Sequence, residues 1–239
     1  MLKLFALALT LVASAAHADA SLHTDLPLSY LEQTQSDSRN QPLVIFLHGF
    51  GSNEEDLFGI KDALPSTWTY LSVRAPMPVD PNGFRWFIKM PGDGDYDGVT
   101  ADLQRSAKLI EDFVGKATLK YHTQSDRVFL VGFSQGAIMA YEVGLRQPDL
   151  VRGIAALSGS VLPVLKAELK PDERLNKLAI FIGHGTLDKA LPYASATRAN
   201  EVLTGLGLKP QFHGYAGMPH TVSEAEVQDL KAWLETSLK

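Results

Sequence analysis

Gly132-Phe133-Ser134-Gln135-Gly136 follows an apolar, strand-like run from Arg127 to Val131 and leads into Ala137-Ile138-Met139-Ala140-Tyr141, which reads as a helix. A serine hydroxyl is a weak nucleophile at neutral pH. It becomes effective where a sharp turn presents it, a base takes its proton, and backbone N–H groups await the oxyanion. Such a turn crowds the backbone, so small residues are needed two places before and two places after the serine. Gly132 and Gly136 supply them. A chain of this length carries on the order of 0.1 copies of Gly-x-Ser-x-Gly by chance. Taken alone, the pentapeptide also fits a glycine-rich turn around a buried serine, so it needs partners elsewhere.

The elements that would position those partners are strands alternating with helices. Pro42 to Leu47 is continuously apolar, as a strand buried on both faces should be. Further strands are expected at Trp68–Val73, Arg127–Val131, Gly153–Leu157, Leu178–Ile182 and Pro210–His213. Glu54–Ala63, Val99–Leu119, Tyr193–Leu206 and Ser223–Leu238 read as helices, the last opened by a Ser223/Glu226 capping box. Ala75–Gly98 is rich in Pro, Gly and Asp and reads as irregular. This alternation predicts an α/β class with a mostly parallel sheet covered by helices on both faces. Functional groups in such sheets gather at the carboxyl ends of the strands.

Three loops at those ends carry chemistry. His48-Gly49-Phe50-Gly51-Ser52 can aim N–H groups inward, and the backbone amides of Phe50 and Gln135 are the candidate oxyanion donors. Gly183-His184-Gly185-Thr186-Leu187-Asp188 supplies an acid, and Met218-Pro219-His220 a base just before the final helix. Ser134, Asp188 and His220 follow the order Ser, Asp, His used by the α/β-hydrolase architecture. The other histidines compete poorly. His48 is expected to make a structural hydrogen bond, His184 and His213 to be core or supporting residues, and His122 to lie at the wrong end of the sheet.

Together, Leu47 to Leu57, Gly132 to Ala137, His184-Gly185-Thr186-Leu187-Asp188 and Met218-Pro219-His220 resemble the phospholipase/carboxylesterase family of α/β-hydrolases, which includes the acyl-protein thioesterases. The resemblance runs from about Pro42 to the C-terminus. It implies hydrolysis of carboxylic esters by Ser134, Asp188 and His220, with the Phe50 and Gln135 amides as oxyanion hole. Arg85-Trp86-Phe87 resembles a family segment whose tryptophan lies beside the acyl site, which makes Trp86 a candidate substrate-binding residue. Here Ile88-Lys89 follow where many members continue with aspartate, and Lys189-Ala190 stand where many have proline and valine. The same three residues would serve a thioester or a lysophospholipid, and a non-catalytic binding module on this fold is the remaining alternative.

Composition narrows the partners. The 239-residue chain has a net charge of −5 and no Lys/Arg-rich tract, so nucleic-acid binding is not expected. A small-molecule ester or acyl lipid is the expected substrate. No cofactor or metal is expected. The chain has no cysteine, which excludes disulfides, a thiol nucleophile and cysteine metal sites. Asp93-Gly94-Asp95-Tyr96-Asp97-Gly98 begins like a calcium loop, but its twelfth position is Gln104 rather than glutamate. Lys3, the apolar run Leu4–Val12 and two Ala-x-Ala sites follow the order of a cleaved signal peptide, ending after Ala18 or Ala20. The expectation is a secreted or periplasmic protein without stable membrane insertion, in which residues 21–239 form one catalytic domain.

Overall fold

The computed structural model describes residues 21–91 and 96–239. The leader expected over residues 1–20 and the acidic positions 93 and 95 lie outside the described residues. The apolar runs become the inner strands of one sheet. In chain order the strands are β1 (Tyr30–Gln33), β2 (Leu43–Leu47), β3 (Thr69–Val73), β4 (Met77–Pro78), β5 (Phe84–Arg85), β6 (Val128–Phe133), β7 (Gly153–Leu157), β8 (Ala179–Gly185) and β9 (Gln211–Tyr215). Seven of them pair in the order β1-β3-β2-β6-β7-β8-β9. All pairs in this sheet are parallel except β1 with β3. Every residue of β2, β3 and β7 is buried, and β2 and β7 accordingly carry unbroken apolar runs instead of an alternation.

The helices are α1 (Thr100–Lys120), α2 (Gln135–Arg146), α3 (Pro163–Glu168), α4 (Ala194–Gly205) and α5 (Glu224–Ser237). One core layer packs Phe113 and Val114 of α1, Ile138 of α2 and Leu203 of α4 with Ile45, Leu130 and Ile154. On the other face, Leu230, Trp233 and Leu234 of α5 join Phe58 against Phe46, Phe129 and Phe181. Trp233 meets Phe129 edge-on at 5.5 Å between centroids. A fully buried side chain of this size contributes about 1.5–3 kcal/mol, so the two layers hold the sheet without covalent cross-links.

Three expectations need correction. Only Phe58–Ala63 of the segment 54–63 is helical, and as a 3₁₀ turn. Asn53 Oδ1 accepts the Glu55 N–H at 2.9 Å, and the Glu54 carboxylate turns inward to Arg74 Nε at 2.6 Å, so local side-chain bonds replace the first helical turn. Residues 75–98 are less irregular than their composition suggests. They contain the β4–β5 ribbon, and Lys89 bridges Gly98. The capping box at α5 is half made. Ser223 Oγ accepts the Glu226 N–H at 3.2 Å, whereas the buried Glu226 carboxylate is stabilised by the Ser223 N–H without reaching full hydrogen-bond geometry.

Candidate active site

The turn between β6 and α2 places Ser134 at φ 55° and ψ −117°, a conformation that side-chain-bearing residues rarely adopt. The two glycines of the pentapeptide have a steric cause. A Cβ on Gly132 would run into the carbonyl of Gly136, and one on Gly136 into the carbonyl of Leu47. The close approach of α2 to the end of β2 therefore sets the turn.

Ser134 Oγ lies 3.0 Å from His220 Nε2, and His220 Nδ1 lies 2.6 Å from Asp188 Oδ2. A carboxylate only accepts, so Nδ1 carries the proton and Nε2 is left to accept from the serine hydroxyl. Asp188 is buried and fixed from behind. Its Oδ1 accepts the Ala190 and Leu191 N–H groups, each at 2.9 Å. His184, also buried, points Nε2 at the Leu191 carbonyl at 2.8 Å and lies 3.2 Å from Asp188 Oδ2. Burial holds the His184 pKa below its usual value, so it adds a neutral N–H beside the carboxylate. The His220 ring leans on Phe133 at 4.8 Å.

The loop after β2 comes against Ser134. A Cβ on Gly49 would meet Ser134 Cβ at 3.3 Å. Phe50, its neighbour, and Ser134 line one cleft. Gln135 is the first residue of α2, so its N–H has no acceptor within the helix. His48 braces this loop. Its Nε2 accepts the Ala75 N–H at 3.0 Å and its Nδ1–H donates to the Gly49 carbonyl at 2.7 Å, which defines a neutral ring. Burial favours that form by lowering the pKa. Gly51 N–H donates to the Phe84 carbonyl, and Phe84 N–H to that of Ser52, both at 2.8 Å.

Trp86 does not lie where the resemblance implies. It is fully buried, and its indole N–H donates to the His48 carbonyl at 2.8 Å. It backs the loop behind Ser134 instead of lining the cleft. The cleft, about 460 Å³ in volume, is lined by Phe50, Lys89, Tyr96, Phe133, Ser134 and His220, among others. Past Asp56 and His220 a second groove runs between Ile60 and Val227. The side chain of Gln135 was not legible as a site residue. Its Nε2 donates to the Phe87 carbonyl at 3.1 Å and reaches the Tyr96 hydroxyl at 3.3 Å, so it holds one wall of the cleft. Nothing in the pentapeptide pattern signals that duty, because the position after the serine is free in it.

A doubly covered, mostly parallel sheet with a serine at a strained strand-to-helix turn, joined through histidine to aspartate, defines an α/β-hydrolase. The chain belongs to the phospholipase/carboxylesterase family, whose sequence profile matches residues 29–238. It is 30% identical to acyl-protein thioesterase 1 of Neurospora crassa over 221 residues, covering 84% of this chain and 89% of that protein. It is 27% identical to lysophospholipase-like protein 1 of Mus musculus over 217 residues, covering 84% and 88%. Among solved structures, esterase PE8 matches with a TM-score of 0.75 at 27% identity, over 87% of this chain and 98% of that one. A Bacillus cereus carboxylesterase, 22% identical, shares the fold with a TM-score of 0.75 over 88% of this chain and 94% of that one.

Proposed function

We propose that this protein is a serine hydrolase that cleaves carboxylic esters through an acyl-enzyme. The observation that carries the reading is the hydrogen-bonded chain from Ser134 through His220 to Asp188, with the serine raised on a positive-φ turn. His220 Nε2 takes the Ser134 proton as the oxygen attacks the ester carbonyl. The carbonyl oxygen becomes an oxyanion held by the Phe50 and Gln135 amides. The C–O bond to the alcohol breaks, and His220 returns its proton to the leaving oxygen. Water then attacks the acyl-serine by the reverse proton route. Asp188 keeps the proton on Nδ1 in the ground state and stabilises the imidazolium as it forms.

The same steps serve a thioester or a lysophospholipid. The names of the Neurospora crassa and Mus musculus relatives favour those as second substrates to test. Among the described residues no helix is long and apolar enough to cross a membrane. The signal-like segment Leu4–Ala20 supports export of the enzyme.

Hydrolysis of p-nitrophenyl esters from acetate to palmitate, by wild type and Ser134→Ala, tests the reading. Turnover by wild type and a loss of about 10⁴-fold or more in the variant is expected. Retained activity in Ser134→Ala would remove the proposed nucleophile. The chain length preferred reports how far the cleft extends from Ser134.

A further inference from the structure

The cleft beside Ser134 differs in charge between its two ends. At one end are Asp56 and His220, which also line the groove toward α5. At the other are Lys89 and Tyr96, and Tyr96 also walls a neighbouring cavity of about 170 Å³ rimmed by Lys166.

Lys89 is held in place at both ends of its side chain. Its backbone bridges Gly98, flanked by the Val99 N–H on the Ile88 carbonyl at 2.9 Å and the Met90 N–H on the Asp97 carbonyl at 3.0 Å. Its ammonium sits 5.0 Å from the centroid of the Tyr96 ring. Tyr96 is fixed in turn by Gln135 Nε2 and by edge-on contact with Phe87 at 6.3 Å. Among the described residues no carboxylate pairs with Lys89, and Asp97 Oδ1 is taken by the Gly98 N–H at 2.8 Å. A lysine resting on an aromatic face keeps its outward N–H donors for a ligand.

Reaction chemistry says which part of the substrate meets it. The leaving oxygen must receive its proton from His220 Nε2, so the alcohol lies toward the His220 and Asp56 end. The oxyanion points at the Phe50 and Gln135 amides. The acyl chain is the remaining substituent, and it extends toward Tyr96 and Lys89. We propose that Lys89 makes the cleft select esters whose acyl chain ends in an anionic group, monoesters of dicarboxylic acids being the simplest. This rests on the esterase reading above.

The test compares kcat/KM for the p-nitrophenyl monoester of adipic acid with that of its methyl-capped, uncharged counterpart. Wild type is expected to prefer the charged ester by about fivefold, the size of a solvent-exposed ion pair, and less at high salt. Lys89→Ala is expected to lose the preference, Lys89→Arg to keep it, and Lys89→Glu to reverse it. Equal rates on both esters in wild type, or an undiminished preference in Lys89→Ala, would overturn the proposal and leave the esterase reading standing. Failure to hydrolyse either ester, or full activity in Ser134→Ala, would overturn both.

Discussion

Gln135 Oε1 accepts the backbone N–H of Trp86 at 3.1 Å, across 49 residues of chain. The same side chain donates from Nε2 to the Phe87 carbonyl at 3.1 Å. The residue proposed to offer its main-chain amide to the oxyanion thus also clamps the segment that floors the loop after β2. Gln135→Leu keeps the main-chain amide but strands a buried N–H and a buried carbonyl. The expected result is a loss of about 1–3 kcal/mol for each stranded group, read by urea denaturation. kcat/KM should fall as well, because Trp86 supports the His48 carbonyl. Unchanged stability would show that the clamp carries no energy.

Ser134 stores strain that glycine would release. At φ 55° and ψ −117° a side chain costs about 1–3 kcal/mol, whereas glycine adopts the conformation freely. Ser134→Gly and Ser134→Ala should both abolish hydrolysis. Only the glycine variant should gain stability, by roughly 1 kcal/mol once its larger unfolded-state entropy is subtracted. Equal denaturation midpoints for the two variants would contradict stored strain.

Asp188→Asn tests how the proton on His220 is placed. Oδ1 of Asp188 is engaged by two N–H groups, from Ala190 and Leu191, so an asparagine must keep its oxygen there. Its NH₂ then faces His220 Nδ1, which becomes an acceptor, and the ring proton moves to Nε2. A protonated Nε2 cannot accept from Ser134. The expected fall in kcat is about 10⁴-fold with little change in KM. A fall of less than about tenfold would mean that Asp188 does not set the tautomer.

The strands of the sheet were legible because burial on both faces writes an apolar run that needs no partner to be read, as in β2 and β7. Ser134, Asp188 and His220 were legible for a related reason. Strand ends fix where each loop emerges, and the chain order leaves few candidates. What was not legible depends on long-range side-chain bonds. β1 is a four-residue edge strand paired antiparallel to β3, and its sequence shows no long apolar run. The burial of Trp86 follows from an indole bond to His48, 38 residues away. The inward turn of Glu54 follows from Arg74, the residue just after β3, which also stacks over Phe84 at 4.7 Å.

The N-terminal segment makes a prediction of its own. A positive residue, an apolar run of signal length and small residues at Ala16, Ala18 and Ala20 are what a signal peptidase reads. We predict export with cleavage, so that the mature protein, sequenced from its N-terminus, begins at Asp19 or Ser21. A chain that retains Leu4–Val12 after export would show an uncleaved anchor instead.

Glu226 links stability to pH. It follows Ser223 in the first turn of α5, where an exposed carboxylate would close the capping box. Instead its side chain packs against Gly183 of β8, fully buried, with neither oxygen in a hydrogen bond of full geometry. Burial pushes its pKa from 4.5 up to about 8, with the Ser223 backbone N–H opposing the rise and the nearby Asp229 charge adding to it. The sign follows from linkage. Below pH 4.5 the carboxyl is protonated in both folded and unfolded chains, and the group has no pH effect. Between there and about pH 8 the unfolded chain releases this proton while the folded chain keeps it. Unfolding is then favoured by about 1.4 kcal/mol per pH unit from this residue. Glu226→Gln keeps the shape and removes the titration. Unfolding free energies of the two proteins should converge near pH 4.5 and separate as pH rises, with the glutamine variant the more stable on the alkaline side. The difference between the curves isolates Glu226 from other titrating groups. Parallel curves would mean that the carboxyl is already ionised in the folded protein, and that the interior beside Gly183 solvates it.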